Sequence, residues 1–363
     1  MVNYNKREWW IDYSKFIAIF LIVVIHLIYT FTTFGIKTGY ETQMILKFGY
    51  LFHVPIFYFV SGYLYKDILP KIAIKKYFKR LIVPFFFFGL IGIILTLLTY
   101  INYLNNKNII FYFFKLLFTL ILQKSSIYNP NGTIWFLLAL FEVIIFFSLI
   151  NSKIKNSYSV KLKEFFSIKI KKEILIIFII ILLNLILFIL NYFHITIFFC
   201  VDAAIIGLSF FYTGYLFKAK GMIDYFKNKK KNVLFLVLFL IIALLSYASH
   251  SSIKFYAGKW TGNLIFAYIG SFSGIFLVVA FTNIISNINN KLIYLISINT
   301  LTIMGLEKFL RRGVTFALNG IFIKIHPLIG LCVITFLILL ISVFVATLIN
   351  KFYPNLIGNP PNK

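Results

Sequence analysis

Residues 10–31 read WIDYSKFIAIFLIVVIHLIYTF. From Phe16 onward the stretch is apolar for about the length of a bilayer crossing, yet it carries an imidazole, His26. Hydrocarbon offers an imidazole no hydrogen-bond partner, so His26 must face other protein or a water-filled cavity. Lys15 precedes it by eleven residues, about three helical turns, which puts the two on one stripe roughly 16 Å apart. Asp12 falls near the same stripe. A cation at the membrane edge is thus linked to a titratable group near the midplane. Histidine accepts a proton near neutral pH, as a general base must. The bland alternative is a histidine bonded to a neighbouring helix.

Working outward, 61% of the 363 residues are hydrophobic and the mean hydropathy is +0.93. Soluble domains run nearer half apolar. The pattern predicts an all-α polytopic membrane protein with about ten transmembrane helices, at 16–34, 49–65, 81–101, 134–150, 174–193, 195–217, 233–249, 263–286, 292–310 and 327–350. A short apolar run at 111–123 reads as re-entrant or interfacial, and 151–173 as a polar loop. One membrane domain is expected over 1–350, with a short cytoplasmic tail over 351–363.

The formal charge of +26 suggests nucleic acid at first sight, but the lysines sit between the apolar segments. With a cytoplasmic N-terminus, one side holds 25 of the 36 Lys and Arg residues and the other 11. The positive-inside rule therefore predicts that both termini are cytoplasmic, and attraction to anionic lipid accounts for most of the clusters. No nucleic-acid partner is expected. Cys200 and Cys332 lie in apolar runs and suggest neither a disulfide framework nor a metal site.

The second span, YLFHVPIFYFVSGYLY at 50–65, carries His53, Pro55 and the small pair Ser61-Gly62. Proline cannot donate a backbone bond, and small residues let another helix approach closely. Glu142 and Asp202 are acids inside apolar runs, so each must be paired or protonated. Trp135 follows Gly132-Thr133 at an outer boundary, as an interface anchor or a stacking face for a sugar. His194, His250 and His326 read as ordinary loop residues, and NPNGT at 129–133 as an outer turn.

The order and spacing of several fragments resemble the membrane acyltransferase-3 family. They are Ile11-Asp12-Tyr13 with Lys15 and His26, Phe52-His53-Val54-Pro55 with Ser61-Gly62, Arg80-Leu81 with Pro84, and Trp135-Phe136-Leu137. FFYTGYLFKAK at 210–220 and ISINTLTIMGL at 296–306 look like later family segments. The resemblance spans nearly the whole chain and is nearest to the standalone branch that O-acetylates glycans.

It implies an acyl-CoA-dependent O-acetyltransferase of the cell membrane, moving an acetyl group from cytoplasmic acetyl-CoA to a hydroxyl of a surface glycan or lipid-linked sugar. No bound cofactor is implied. Lys15, Lys76, Lys79 and Arg80 would hold the donor's phosphates. His26 would take the acceptor's proton or carry the acetyl group itself, with Glu307 or Glu142 orienting it. His53, Ser61 and Trp135 would lie on the acceptor side. Two positions depart from the family pattern: Lys15 stands where many members have arginine, and Glu307 where many have histidine. A competing reading is a flippase or carrier of lipid-linked sugars. Transporters usually show paired broken helices, and the sequence has no such symmetry.

Overall fold

The computed structural model describes residues 7–36, 38–100, 106–122, 130–160, 171–322 and 326–359. The first span is α1, Trp9–Thr33. The second is broken into α2, Tyr40–Tyr50, and α3, His53–Leu64. Then come α4 (Pro70–Tyr77), a π-helical turn at Phe78–Ile82, α5 (Val83–Tyr100), α6 (Asn106–Leu122) and α7 (Trp135–Val160). The second half holds α8 (Lys172–Tyr192), α9 (Val201–Ala219), α10 (Lys229–Ala248), α11 (Leu264–Ile285), α12 (Lys291–Ile298), α13 (Thr300–Phe322) and α14 (Pro327–Phe352). A two-stranded hairpin, β1 (Ser252–Lys254) and β2 (Lys259–Thr261), joins α10 to α11.

Among the described residues, eight helices are long and apolar enough to cross a membrane, or nine if the bent pair α12–α13 forms one span. The expected ten included 195–217. Its helix, α9, is diluted by Asp202, Lys218 and two glycines, and most of its length is buried against other helices. The loop expected from 151 begins later, because α7 continues to Val160; residues 161–170 lie outside the described set. Residues 111–122 of the short apolar run lie within α6, which sets Leu116 and Leu120 into the core beside α5, and residue 123 lies outside the described set. The expected tail begins inside α14, and Ile357 beyond it is buried in a 3₁₀ turn packed on the segment around Arg80.

The break in the second span follows from Pro55. Without an N–H, it cannot satisfy the Leu51 carbonyl four residues earlier. Ser271 Oγ on α11 donates to that carbonyl at 2.7 Å. The Gly49 carbonyl, at the same break, takes His53 Nδ1 at 2.9 Å. A carbonyl only accepts, so this nitrogen carries the proton and the neutral ring keeps Nε2 as its acceptor.

Below the break, α3 crosses α9 at close range. A Cβ added to Gly62 would lie 1.8 Å from the Phe211 carbonyl oxygen, and one added to Gly214 would lie 1.9 Å from that of Phe59. The small surface expected at Ser61-Gly62 thus meets its counterpart in FFYTGYLF. Lipid provides no hydrophobic drive between helices, so close backbone packing is a principal source of cohesion here. Gly62→Ala and Gly214→Ala should each lower stability by roughly 1–3 kcal/mol, because the helices must separate to admit the methyl group. The check is the midpoint of thermal unfolding in detergent; Gly132→Ala, where the added Cβ meets open space, is the control.

Candidate active site

Helix α1 is tied to the α12–α13 unit at three levels. Near its start, Asp12 accepts Arg7 Nε and Nη2 at 2.5 and 2.8 Å, and Ser297 Oγ at 2.5 Å. Near its end, Arg311 Nη1 donates to the His26 carbonyl at 3.1 Å and to Thr30 Oγ1, and Thr30 passes its own proton to that carbonyl at 3.2 Å. Between them, His26 Nδ1 stands 3.3 Å from Glu307 Oε2. This approach is within ion-pair range but lacks hydrogen-bond alignment; such contacts commonly tighten when substrate binds. The other carboxylate oxygen accepts Arg311 Nε at 2.6 Å.

Glu307 is fully buried. A carboxylate there is tolerable only with a compensating charge, and Arg311, one helical turn on, supplies it permanently. His26 is thereby relieved of neutralising Glu307. With Nδ1 toward the carboxylate, Nε2 is the nitrogen left for a reacting group.

His26, His53, Trp135 and Glu307 line one cavity of about 50 Å³, together with Tyr50, Thr133, Phe136 and Met304. Tyr50 meets His53 edge to face, ring centroids 5.0 Å apart. Toward the end of the bundle where α1 begins, a second cavity of about 150 Å³ is lined by Lys15, Ser61, Tyr77 and Arg80. Phe136 and Met304 line both cavities.

The structure therefore brings together His26, Glu307, His53 and Trp135, and separately Lys15 and Arg80. Ser61, expected beside His53, lines the Lys15 cavity instead. It lies eight residues on from His53, roughly 12 Å further along α3. Lys76 and Lys79 line neither cavity; Lys76 lies over its neighbour Tyr77, 5.2 Å from the ring centroid. Glu142 lines neither, and its charged neighbour is Asp202 on α9.

Two features were not foreseen. Arg311 lay just beyond the expected span 292–310, although its i,i+4 relation to Glu307 was available in the sequence. The NPNGT segment, expected to be an outer turn, reaches into the bundle at Asn131, which is fully buried. Asn131 Nδ2 donates to the Gly305 carbonyl at 3.0 Å, and Thr133 Oγ1 lies 2.8 Å from the Met304 carbonyl. Lys308 Nζ donates to the Pro130 carbonyl at 2.9 Å. This loop thus clamps the turn of α13 that presents Glu307.

The acyltransferase domain of the acyltransferase-3 family matches residues 8–354, nearly the whole chain. The chain belongs to the acyltransferase-3 family. No curated protein and no solved structure matches it. Membership makes this bundle a membrane acyltransferase, and Glu307, paired with Arg311, stands where the resemblance implies histidine in many members.

Removing Arg311 while keeping Glu307 leaves a buried charge uncompensated. Arg311→Met should cost about 3–5 kcal/mol, and the double variant Glu307→Leu/Arg311→Met should recover most of it. Thermal unfolding of the four proteins of this cycle measures the coupling.

Proposed function

We propose that this protein is an O-acetyltransferase that takes acetyl from acetyl-CoA on the cytoplasmic side and delivers it to a hydroxyl of a glycan or lipid-linked sugar. The observation that carries the reading is the chaining of cavities. The Lys15–Arg80 cavity meets the His26–Glu307 cavity at Phe136 and Met304. A phosphate-bearing donor fits a basic mouth, and a thin pantetheine arm fits a route walled by Phe57, Val60 and Leu140. Arg80 can grip a phosphate through two N–H groups, whereas Lys15 acts as a point charge.

In the reaction, the acceptor hydroxyl oxygen attacks the thioester carbonyl carbon while His26 Nε2 takes its proton. The tetrahedral intermediate collapses with cleavage of the C–S bond. The proton passes from His26 to the departing CoA sulfur, so the histidine ends neutral. Glu307 steadies the imidazolium formed in between, and Arg311 holds Glu307 in place. His53, with Nε2 as its acceptor, is available to orient the acceptor hydroxyl.

The test is acetyl transfer by the full chain in proteoliposomes. His26→Ala should lower turnover by at least about 10²-fold while acetyl-CoA still binds. Near-normal transfer by a well-folded His26→Ala protein would remove it from the chemistry. Arg80→Glu should raise the Michaelis constant for acetyl-CoA more than that for the acceptor, whereas Lys76→Glu, outside the cavity, should change neither strongly. Equal effects at the two positions would place the donor site elsewhere.

A further inference from the structure

At the opposite end from Lys15 a third cavity, of about 350 Å³, opens beside the His26 site. Its size lies in the range of small-molecule sites. Tyr29, Tyr50, Tyr247 and Tyr256 line it. Tyr50 and Tyr256 also line the His26 cavity, so the two are continuous. Phenol rings offer flat faces for the C–H surface of a sugar and hydroxyls for its oxygens.

The charge of this vestibule is one-sided. Lys47 and Lys254 line it, with His250 beside them, and no carboxylate is among the residues around it. Neither lysine forms an ion pair among the described residues. In the hairpin register Lys254 stands directly opposite Lys259, an arrangement of like charges that costs stability. On the expected topology this end lies outside, where the positive-inside rule gives no reason for lysines. The wall is also built rather than loose: Ser251 Oγ accepts the Asn263 N–H at 2.9 Å, and the Ser252 and Thr261 hydroxyls bond at 2.8 Å across the strands.

Resting on the acetyltransferase reading of the His26 site, we propose that this vestibule is the acceptor site and that the acceptor is an anionic saccharide. Its rings lie against the tyrosines, and its carboxylate or phosphate is held by Lys47 and Lys254. A hydroxyl then reaches past Tyr50 and Tyr256 toward His26. This gives His250, first read as a loop residue, a place at the edge of a binding site.

Binding is read directly by calorimetry on the purified full chain, without acetyl-CoA, using three probes: tetragalacturonate for carboxylate, a glycerol phosphate oligomer for phosphate, and neutral maltotetraose. At least one anionic probe should bind roughly tenfold more tightly than the neutral one, and its affinity should fall as salt rises. The stronger of the two identifies the anion. Lys47→Gln/Lys254→Gln should abolish the preference without lowering the unfolding midpoint, while Lys229→Gln should leave it intact. Failure of both anionic probes to bind, equal binding of neutral and anionic probes, or a preference that survives the double substitution overturns the proposal. Acetyl transfer to neutral saccharides alone would also overturn it and leave the acetyltransferase reading standing. Saturable anionic binding, with no transfer from acetyl-CoA to any saccharide by the wild-type protein, would instead remove that reading and with it the acceptor role.

Discussion

A carboxylate in the middle of an apolar bundle can persist only if something nearby carries the opposite charge, and at Glu307 that partner is Arg311. Much else follows from this pair. Arg311 also bonds the His26 carbonyl and Thr30, so the group that neutralises Glu307 simultaneously fixes α13 against α1. The imidazole is left facing a carboxylate whose charge is already met. Below it, the Asp12–Arg7–Ser297 cluster repeats the same logic at the membrane edge, again joining α1 to the bent unit.

Around that axis the chain supplies irregular backbone where a site needs it. The proline break at 51–55 turns His53 onto the Gly49 carbonyl. The 82° bend between α12 and α13 is followed by a turn whose carbonyls are held by Asn131 and Thr133. Non-helical backbone at membrane depth is tolerated only where protein or water satisfies it, and at the proline break the freed Leu51 carbonyl has its partner in Ser271. The close α3–α9 crossing through Gly62 and Gly214 keeps the frame rigid while the neighbouring helices diverge enough to leave cavities.

Much of this was legible in the sequence, for physical reasons. Apolar length announces helices that must cross a bilayer, and an imidazole inside one announces a protein-lined interior. The stripe from Lys15 to His26 announced a cationic mouth joined to a titratable group, and the need of such a base for an orienting acid made Glu307 a candidate. What was not legible depended on distances between segments remote in sequence. Ser61 moved from one cavity to the other because two turns of helix outweigh its motif partnership with His53. Glu142 sits beside Asp202 because α7 meets α9 there. Asn131 looked like turn chemistry because Asn-Pro-Asn-Gly is turn chemistry; only the opposing α13 reveals that its amide bonds a carbonyl of another helix. The hairpin that walls the tyrosine-lined cavity carries too few residues to register as strand.

The meeting point of the two inner cavities is lined by Phe136 and Met304, both almost completely buried. A protein with polar hollows toward each end of its bundle risks short-circuiting the membrane that contains it. Apolar side chains at a waist disfavour a continuous thread of water, and without that thread neither a hydrated ion nor a chain of hopping protons can pass. Phe136 and Met304 thus stand where electrical insulation is needed.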